Sequence, residues 1–469
     1  MSSTVQLSAR ERILTLLDDN SFVEVGALVT RRSTDFNLNQ KEVPSDGVIT
    51  GYGLIDGNPV YVYSQDAASL GGSIGEMHAG KITHIYDLAL KVGAPVIGLI
   101  DSAGMRLEEA TDALNGFGEI YLKQTMASGV IPQITAIFGN SGGGLAVMAS
   151  LSDFSFMEGK NGKLFVNAPN TLQGNYKEKC DTAAAGFQAQ NGMVDYVGNG
   201  DADVLSKIRE LVSLLPSNSQ DEATYQECRD DLNRLLPAFA SELKDAAKAL
   251  TDIADDHYFF EIKKDYAKEM VTGFLRLNGM TVGAVANRSE LTDENGKVVT
   301  SFDQVLTTEG CQKAAGFVSF CDAFGIPVLT LTNVAGYKTS LEEEKTIAKA
   351  AAKLTRAFAE ASVPKVNIIV GKAFGSAYIT MNSKHIGADL VFALPSAQIG
   401  MMDADLAARI IYDGSPADVI KEKAAEYAEL QDSALSAAKR GYVDSIIEAE
   451  AVRKHAVYAF EMLASKARY

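Results

Sequence analysis

Short apolar runs that end in glycine-rich turns recur along the chain, and each is followed by a segment with helical periodicity. Residues 95–100 and 327–331 are rich in Val, Ile and Leu, which is typical of parallel strands buried on both faces. A second pair of apolar runs, 133–138 and 365–370, leads into a second glycine turn and a second helical segment. Strands that alternate with helices predict right-handed β–α–β crossovers and an α/β fold with a largely parallel sheet.

The second half of the chain repeats the first. Residues 93–104 match 325–336 position by position at a constant offset of 232, and residues 50–57 match 272–279 at an offset of 222. Ungapped similarity of this length between two halves indicates a tandem duplication of one domain. The two expected domains are residues 1–237 and 238–469.

Charge and composition exclude several classes of function. A net charge of −17 over 469 residues argues against nucleic acid or an anionic membrane as the main partner. The four cysteines form no CxxC pair, so neither a disulfide framework nor a metal site is expected. Because the sequence contains no uncharged apolar stretch of about 18 residues and no signal-peptide pattern, we expect a cytoplasmic protein.

Two glycine-rich turns occupy equivalent positions in the two halves and are the sharpest candidates for chemistry. The first contains Gly142, Gly143 and Gly144, and the second contains Gly375 and Ser376. Each turn follows a buried strand and opens a helix, where glycine lets the backbone approach a ligand and point unpaired N–H groups at it. The helix dipole adds about half a positive charge. Two such turns favour a reaction with two oxyanions, and the alternative is that the glycines only permit close packing.

Other features have less predictive value. The string Gly-Asn-Ser-Gly-Gly around Ser141 fits the nucleophile elbow of hydrolases, but the equivalent residue in the second half is Ala373. Arg106 is a candidate ligand for a phosphate or carboxylate, with a surface salt bridge as the alternative. Gly71 and Gly72 are candidates for a further backbone donor, with a plain turn as the alternative.

Similarity to a known family extends over nearly the whole chain. The segments that carry it are residues 9–13, 20–24, 47–51, 64–66, 71–73, 93–98, 127–133, 383–385, 439–444 and 463–466. In these segments the chain resembles the biotin-dependent acyl-CoA carboxyltransferases. That family includes the propionyl-CoA and acetyl-CoA carboxylase β subunits, the transcarboxylase large subunit, and the methylmalonyl-CoA and glutaconyl-CoA decarboxylase α subunits.

The resemblance implies a fold, an assembly and a reaction. The fold would be a tandem duplication of a crotonase/ClpP-like ββα superhelix domain. The assembly would be a homohexamer, with active sites between the N-terminal domain of one subunit and the C-terminal domain of another. The chain would move a carboxyl group between carboxybiotin on a separate carrier protein and a short-chain acyl-CoA, a coenzyme A thioester. The two turns would hold the thioester enolate and the ureido oxygen of biotin, in either order, and biotin itself would remove the proton.

The same resemblance implies the partners of the chain. These are a biotin carboxyl carrier protein and either a biotin carboxylase or a membrane decarboxylase subunit, through which a cytoplasmic chain would associate with a membrane. The sequence has no Met-Lys-Met biotinylation site, so biotin would arrive on another chain.

Departures from the family pattern leave the acyl group and the direction of transfer open. Residues 333–343 replace the usual Pro-Gly-rich loop and the Gly-Ile-Ile-Arg-His segment that follows it. Ile379 stands where propionyl-type enzymes carry an aspartate that shapes the acyl pocket. Ile379 and the nearby Ala377 are therefore expected to contact the substrate. The first turn keeps its backbone donors but reads Asn-Ser-Gly-Gly-Gly instead of Pro-Cys-Ala-Gly-Gly.

Three other functions are compatible with the sequence. A biotin-independent acyl-CoA hydratase, hydrolase or isomerase of the crotonase fold would need a carboxylate near the first turn, such as Glu108 or Glu109. A serine hydrolase would use Ser141 as its nucleophile. A non-catalytic scaffold subunit would keep the fold without binding coenzyme A.

Overall fold

A computed structural model describes residues 6–32, 43, 45–175, 180–221 and 224–467. The chain divides into two compact units, Met1–Glu222 and Ala223–Tyr469. In the described ranges, no helix combines the length and the apolar character needed to cross a lipid bilayer.

The first unit ends before residue 237, the position at which the sequence predicts the boundary. Residues that precede 237 pair with the backbone of the second unit. The Gln226 N–H donates to the Gly279 carbonyl oxygen at 2.9 Å, and the Leu236 N–H donates to that of Glu450 at 2.9 Å. Backbone pairing therefore assigns this connecting segment to the second unit, while residues 222 and 223 themselves lie outside the described residues.

The first unit contains a seven-stranded sheet and a separate two-stranded one. Its strands are β1 (Val23–Glu24), β2 (Val48–Ile55), β3 (Asn58–Gln65), β4 (Val96–Ile100), β5 (Gln133–Ile137), β6 (Asn140–Gly142), β7 (Phe154–Glu158), β8 (Lys163–Phe165) and β9 (Tyr196–Gly198). Its helices are α1 (Ala9–Leu16), α2 (Glu76–Val92), α3 (Ala110–Ala127), α4 (Gly144–Ser150), α5 (Ala185–Gln190) and α6 (Asp201–Leu214). The large sheet has the order β1-β2-β3-β4-β5-β7-β9, and β6 pairs with β8.

The second unit repeats this architecture. Its strands are β10 (Phe259–Ile262), β11 (Met270–Leu277), β12 (Met280–Asn287), β13 (Glu290–Thr292), β14 (Val298–Ser301), β15 (Val305–Leu306), β16 (Val328–Val334), β17 (Gly336–Tyr337), β18 (Lys365–Phe374), β19 (Leu390–Ala393), β20 (Gln398–Gly400) and β21 (Ser445–Ile446). Its helices are α7 (Phe239–Glu242), α8 (Ala246–Ile253), α9 (Thr308–Ala323), α10 (Leu341–Glu344), α11 (Ile347–Glu360), α12 (Gly375–Thr380), α13 (Ala404–Ile411), α14 (Ala417–Tyr427), α15 (Ala434–Lys439) and α16 (Val452–Leu463). The sheet has the order β10-β11-β12-β16-β18-β19-β21, and β20 pairs with β18.

Each large sheet begins with antiparallel strands and continues with parallel ones. Strands β1 to β3 are antiparallel, and β3, β4, β5, β7 and β9 run parallel. The second unit has the same arrangement. Its antiparallel strands are β10 to β12, and its parallel strands are β12, β16, β18, β19 and β21. The predicted tandem duplication is confirmed, and the predicted parallel pairing holds for the crossover strands but not for the hairpin that opens each sheet.

The central strands of each sheet are buried along most or all of their length, as the apolar runs predicted. Every residue of β4 and β5 is buried, and the equivalent β16 and β18 are buried over most of their length. Helices α2 and α3 pack together in the first unit, as α9 and α11 do in the second. The strand ends that carry the two glycine turns are therefore held by buried apolar packing.

Candidate functional site

The first glycine turn joins β6 to α4 and has no room for larger residues. Gly143 has φ 59° and ψ −122°, a conformation that residues with a Cβ rarely adopt. A Cβ on Gly142 would lie 2.7 Å from the Phe165 ring, and one on Gly144 would lie 2.9 Å from the Tyr121 hydroxyl. A Cβ on Gly143 would meet no atom within 4 Å. The backbone is therefore tightly packed on both sides of Gly143 and open at Gly143 itself, where a ligand can approach.

Hydrogen bonds separate the roles of the three glycines. The Gly143 N–H donates to the Phe165 carbonyl oxygen at 2.9 Å, so it fastens β6 to β8. Gly144 begins α4, and the first N–H groups of a helix have no intrahelical partner. The N–H of Gly142 points away from β8, because consecutive residues of a strand face opposite sides. Gly142 and Gly144 are thus the donors that suit an oxyanion, and Gly143 sets the shape of the turn.

The second glycine turn resembles the first, with one exchange of residues and a helix that begins one position earlier. Gly375 has φ 60° and lies 232 positions after Gly143. In the first unit Gly142 pairs with Phe165, whereas in the second unit the phenylalanine is Phe374, paired with Gly400. Glycine and phenylalanine have changed places across the strand pair, which keeps one ring at each turn.

The exposed residues of α12 are Ser376 and Ile379. Ser376 is exposed and Ile379 is 38% exposed, three positions further along the same helix. Ala377, which was expected to contact the substrate, is only 1% exposed. Its side chain lies in the core of the second unit because it projects from the opposite face of α12. The residues of this helix that can meet a ligand are therefore Ser376 and Ile379.

A side chain from the preceding strand holds each turn. A Cβ on Gly139 or Gly371 would collide with the side chain of Asp101 or Asn333, respectively. Asn333 accepts a hydrogen bond at its Oδ1 from the Lys372 N–H at 3.0 Å. Asp101 and Asn333 are themselves 232 positions apart. No motif in the sequence marks these two residues, although the constant offset of 232 aligns them.

The Gly71–Gly72 segment is a turn tied to the loop after β4. Both glycines have φ 63°. The Gly71 carbonyl oxygen accepts from the Ala103 N–H at 2.8 Å, and the Gly72 N–H donates to the Ser69 carbonyl oxygen at 2.9 Å. The Gly72 carbonyl oxygen accepts from the Ser102 hydroxyl at 2.6 Å. For Gly72 this geometry fits the plain-turn alternative, because its N–H is already used.

Arg106 forms an internal ion-pair network instead of facing solvent. It is 2% exposed, and its guanidinium donates to Asp46 at 2.7 Å, to Glu109 at 2.7 Å and to the Ser73 carbonyl oxygen at 2.7 Å. Burial raises the pKa of Asp46 even though the cationic Arg106 opposes this shift. The geometry does not support an anion-binding role for Arg106. Arg106 also binds Glu109, one of the two carboxylates that a hydratase or hydrolase could use, whereas the other candidate, Glu108, is exposed.

Ser141 does not belong to a catalytic triad in this fold. The side chain is fully buried, and in the described part of the chain no group forms a hydrogen bond with its hydroxyl. A serine nucleophile needs a base within hydrogen-bond reach. None of the five histidines provides one, so the geometry argues against a serine hydrolase.

Two cavities in the second unit share Ser376 and Ile379. One has a volume of about 540 Å³ and also contains Gly375, Tyr378 and His385 in its wall. The other has a volume of about 830 Å³ and is completed by α11 and by residues 337–341. Both volumes are typical of small-molecule sites. The altered loop at 333–343 and Ile379, which depart separately from the family pattern, therefore line one cavity.

Aromatic and acidic residues near the second turn were not expected. The His385 ring lies between Tyr378 and Tyr442, with ring centroids 5.8 and 4.8 Å away. Burial raises the pKa of Tyr378 to about 12, and its hydroxyl has no partner among the described residues. Asp432 is buried against Gly400. Asp432 and Tyr442 come from distant parts of the chain, so no local pattern could have indicated them, whereas Tyr378 and His385 follow the turn closely in sequence.

Comparison with known proteins identifies the family. The carboxyl transferase domain model matches residues 3–469. The chain is 37% identical to methylmalonyl-CoA decarboxylase subunit alpha of Propionigenium modestum, over 98% of this chain and 91% of the relative. It is 39% identical to the mitochondrial propionyl-CoA carboxylase beta chain of Homo sapiens, over 98% of this chain and 86% of the relative.

A solved structure agrees with these relatives. The transcarboxylase 12S hexamer with hydrolysed methylmalonyl-coenzyme A bound superimposes with a TM-score of 0.92 at 33% identity, covering 99% of this chain and 91% of the other. The sequence and fold similarities both extend over almost the whole length of the chain, which therefore belongs to the carboxyl transferase family.

Proposed function

We propose that this chain is the carboxyltransferase subunit of a biotin-dependent acyl-CoA carboxylase or decarboxylase. It would transfer a carboxyl group between carboxybiotin on a separate carrier protein and a short-chain acyl-CoA. The observation that carries the proposal is the pair of equivalent glycine turns, built around Gly143 at φ 59° and Gly375 at φ 60°. Two such turns suit a reaction in which each reactant develops negative charge on an oxygen atom.

The residues of this chain would act mainly by binding charge with backbone donors. Gly142 and Gly144 would stabilise one oxyanion, and Gly375 and Ser376 the other. Removing one donor of this kind typically costs about 3 kcal/mol of transition-state stabilisation. Carboxybiotin would supply the carboxyl group and, once it has lost that group, the base for the α proton. The open space at Gly143 fits the approach of a planar thioester or ureido group.

The acyl group would lie against Ile379. This side chain lines the cavity of about 830 Å³ together with Ala348, Ala351 and Ala352 of α11. An aliphatic residue that shares a wall with three alanines favours burial of a short apolar chain, and the charged residues Lys338 and Glu344 line other parts of the same cavity surface. We therefore propose acetyl-CoA and propionyl-CoA, or their carboxylated forms, as the substrate class. Relatives are named for propionyl-CoA and methylmalonyl-CoA.

The assembly would be a homohexamer that works with separate partners. The transcarboxylase 12S relative is described as a hexamer, and this chain exposes apolar side chains on α13. A biotin carboxyl carrier protein would bring biotin to the turns. A biotin carboxylase would drive carboxylation, whereas a membrane decarboxylase subunit would drive the reverse transfer and attach a cytoplasmic complex to the membrane.

The reaction can be tested by carboxyl exchange. Purified full-length protein is expected to exchange labelled carboxyl groups between malonyl-CoA or methylmalonyl-CoA and free biotin. Gly375→Ala is expected to lower this rate at least about tenfold, because the new Cβ is strained and lies 3.1 Å from the Met401 carbonyl oxygen. Gly296→Ala is the matched control, since Gly296 has φ 78° and open space around it, away from the turn.

The outcome separates the alternatives. Absence of exchange with acetyl-, propionyl- and butyryl-derived substrates, in protein that is folded and assembled, would contradict the proposal. Turnover of an acyl-CoA in the absence of biotin would favour a hydratase or hydrolase. Failure to bind any coenzyme A thioester would favour the scaffold alternative.

A further inference from the structure

A third cavity in the second unit, with a volume of about 730 Å³, concentrates basic residues in an acidic chain. Three lysines line it, Lys244, Lys338 and Lys372, together with the carboxylates Glu290 and Asp303. The chain as a whole carries a net charge of −17. The three lysines and two carboxylates give the cavity lining a formal charge of +1, opposite in sign to the charge of the chain.

Backbone hydrogen bonds fix the walls of this cavity. Strands β15 and β17 pair in parallel. The Ala335 N–H donates to the Gln304 carbonyl oxygen at 2.7 Å, and the Lys338 N–H donates to that of Leu306 at 2.9 Å. The Phe302 N–H donates to the Ser289 carbonyl oxygen at 2.8 Å. The cavity is therefore bordered by an ordered backbone, as in sites that are largely formed before a ligand binds.

Lys372 differs from the other two lysines in its electrostatic partners. Lys244 lies 3.1 Å from Glu290, and Lys338 lies 4.0 Å from Glu343. Lys372 has no carboxylate oxygen within 4.0 Å of its ammonium, counting the described residues. It is nevertheless half-buried. Because no carboxylate of the described residues neutralises it, the Lys372 ammonium is available to pair with an anion that enters the cavity.

The position of Lys372 is specific to the second copy of the repeat. Its backbone N–H donates to Asn333, and its register partner on β20 is Gln398, so its Cα cannot shift freely. The equivalent residue of the first unit, 232 positions earlier, is the exposed Asn140. The duplicated fold therefore does not need a lysine at this position.

We infer that this cavity is a binding site for an anionic group, a phosphate or a carboxylate, with Lys372 as its counter-ion. Ser301 and Thr339 also line the cavity, and their hydroxyls can donate further hydrogen bonds to the anion. Lysine suits phosphate as a compact point charge. The inference goes beyond the proposed reaction, which uses the glycine turns and Ile379. The anion comes either from the acyl-CoA substrate or from a separate small molecule.

Binding of inorganic phosphate to the full-length protein tests the inference, with ³¹P NMR as the readout. Lys372→Met is expected to weaken phosphate binding about tenfold or more, because it removes a charge-assisted contact and keeps the length of the side chain. Lys372→Arg is expected to retain binding. Lys160→Met is the matched control, since it removes one exposed lysine from the first unit. Equal phosphate affinity in wild type and Lys372→Met overturns the inference.

A measurement on the wild-type protein guards against a variant that fails to fold. Phosphate is expected to protect Lys372 from acetylation by a water-soluble ester, as measured by mass spectrometry, without protecting Lys160. Equal labelling of Lys372 with and without phosphate counts against the site.

The source of the anion follows from the exchange kinetics. If the acyl-CoA supplies the anion, Lys372→Met raises KM for acyl-CoA, leaves kcat unchanged, and phosphate inhibits competitively. If a separate molecule supplies it, phosphate binding is lost in Lys372→Met while KM stays the same. Both results support the site. Failure of the proposed function would appear differently, as a lack of exchange in the wild type, and would leave the phosphate measurement intact.

Discussion

Ser141 lies inside the first glycine turn, yet its hydroxyl contacts no polar group in the described residues. A buried hydroxyl without a partner typically costs about 1–3 kcal/mol. Ser141→Ala is therefore expected to leave carboxyl exchange within about twofold of wild type and to maintain or raise the midpoint of thermal unfolding. The exchange assay and a thermal melt check these two outcomes.

The same variant decides between two chemistries for this turn. Loss of activity in a Ser141→Ala protein that melts normally, together with fluorophosphonate labelling of wild-type Ser141, would support a serine nucleophile. Retained activity would assign the turn to its backbone N–H groups. The Ala373 at the equivalent place in the second unit supports the second outcome.

Asp432 makes stability depend on pH. Burial, with Asp403 nearby, raises its pKa from 3.8 to about 6. Between these pH values the folded chain holds a proton that the unfolded chain releases. The contribution of Asp432 to the free energy of unfolding therefore falls as pH rises from 3.8 to about 6. Above that range the buried carboxylate is charged in both states, and the loss is complete.

Replacing Asp432 by asparagine is therefore expected to help only at higher pH. Asp432→Asn should raise the midpoint of thermal unfolding at pH 8, where it removes an uncompensated buried charge, and should give little or no increase at pH 4.5. Asp413→Asn, at an exposed position, is the control and should change neither midpoint. An equal shift at both pH values would show that the effect arises from packing and not from the charge.

At the scale of secondary structure, the buried crossover strands could be predicted and the opening hairpins were missed. Strands β4 and β5 are recognisable because they are short, mostly apolar runs of the kind that is buried on both faces of a parallel sheet. The hairpins β2–β3 and β11–β12 also left a signal, in the pairs Asp56-Gly57 and Asn278-Gly279, whose four residues all have positive φ. Such pairs are typical of two-residue hairpin turns. The antiparallel start of each sheet was therefore readable from its turns, although not from its apolar pattern.

The partners of charged residues could not be predicted in the same way. Arg106 was expected at an anion site because of the residues next to it in sequence, but its carboxylate partner Asp46 lies 60 positions earlier. Ion pairs at such separations depend on the folded topology. The sequence located both glycine turns because their geometry is set within a few residues, and it could not show which side chains pack around them.

A buried lysine connects a helix to the loop before each hairpin. Lys81 of α2 donates to the carbonyl oxygens of Ser45 at 3.1 Å and Val48 at 2.5 Å. Lys313 of α9, 232 positions later, donates to those of Lys263 at 2.9 Å and Tyr266 at 2.8 Å. Burial lowers the pKa of Lys81 to about 8 and that of Lys313 to about 7. Both ammonium groups thus lie in buried positions although burial disfavours their charged forms.

Removing Lys313 is expected to loosen one loop and leave the other intact. In Lys313→Met the carbonyl oxygens of residues 263 and 266 lose a buried donor, at a typical cost of about 1–3 kcal/mol. Hydrogen exchange should become faster at residues 263–269 and stay unchanged at residues 45–48. Lys81→Met should give the reverse pattern, so each variant is the control for the other. Unchanged exchange near the substituted lysine would show that these contacts do not hold the loops.

At the scale of the whole molecule, exposed apolar residues indicate the surface used for assembly. Leu406 and Ile410 lie four positions apart on α13, and both are at least half exposed. Ala407 and Ala408 of the same helix are buried. Residues four apart share one helix face, so α13 presents an apolar face that its own unit does not cover. Large exposed apolar patches mark sites of protein association.

In the proposed homohexamer we expect this face of α13 to pack against a second copy of the chain. Ile410→Glu would place a charge in that interface, where burial without a partner is strongly unfavourable. The expected result is a smaller species in analytical ultracentrifugation at micromolar concentration, with carboxyl exchange falling as the large species disappears. Val299→Glu, at a residue 63% exposed on β14, adds the same charge away from α13 and should sediment like wild type. If Ile410→Glu sediments unchanged and remains active, α13 faces solvent in the assembly, and another surface must hold the subunits together.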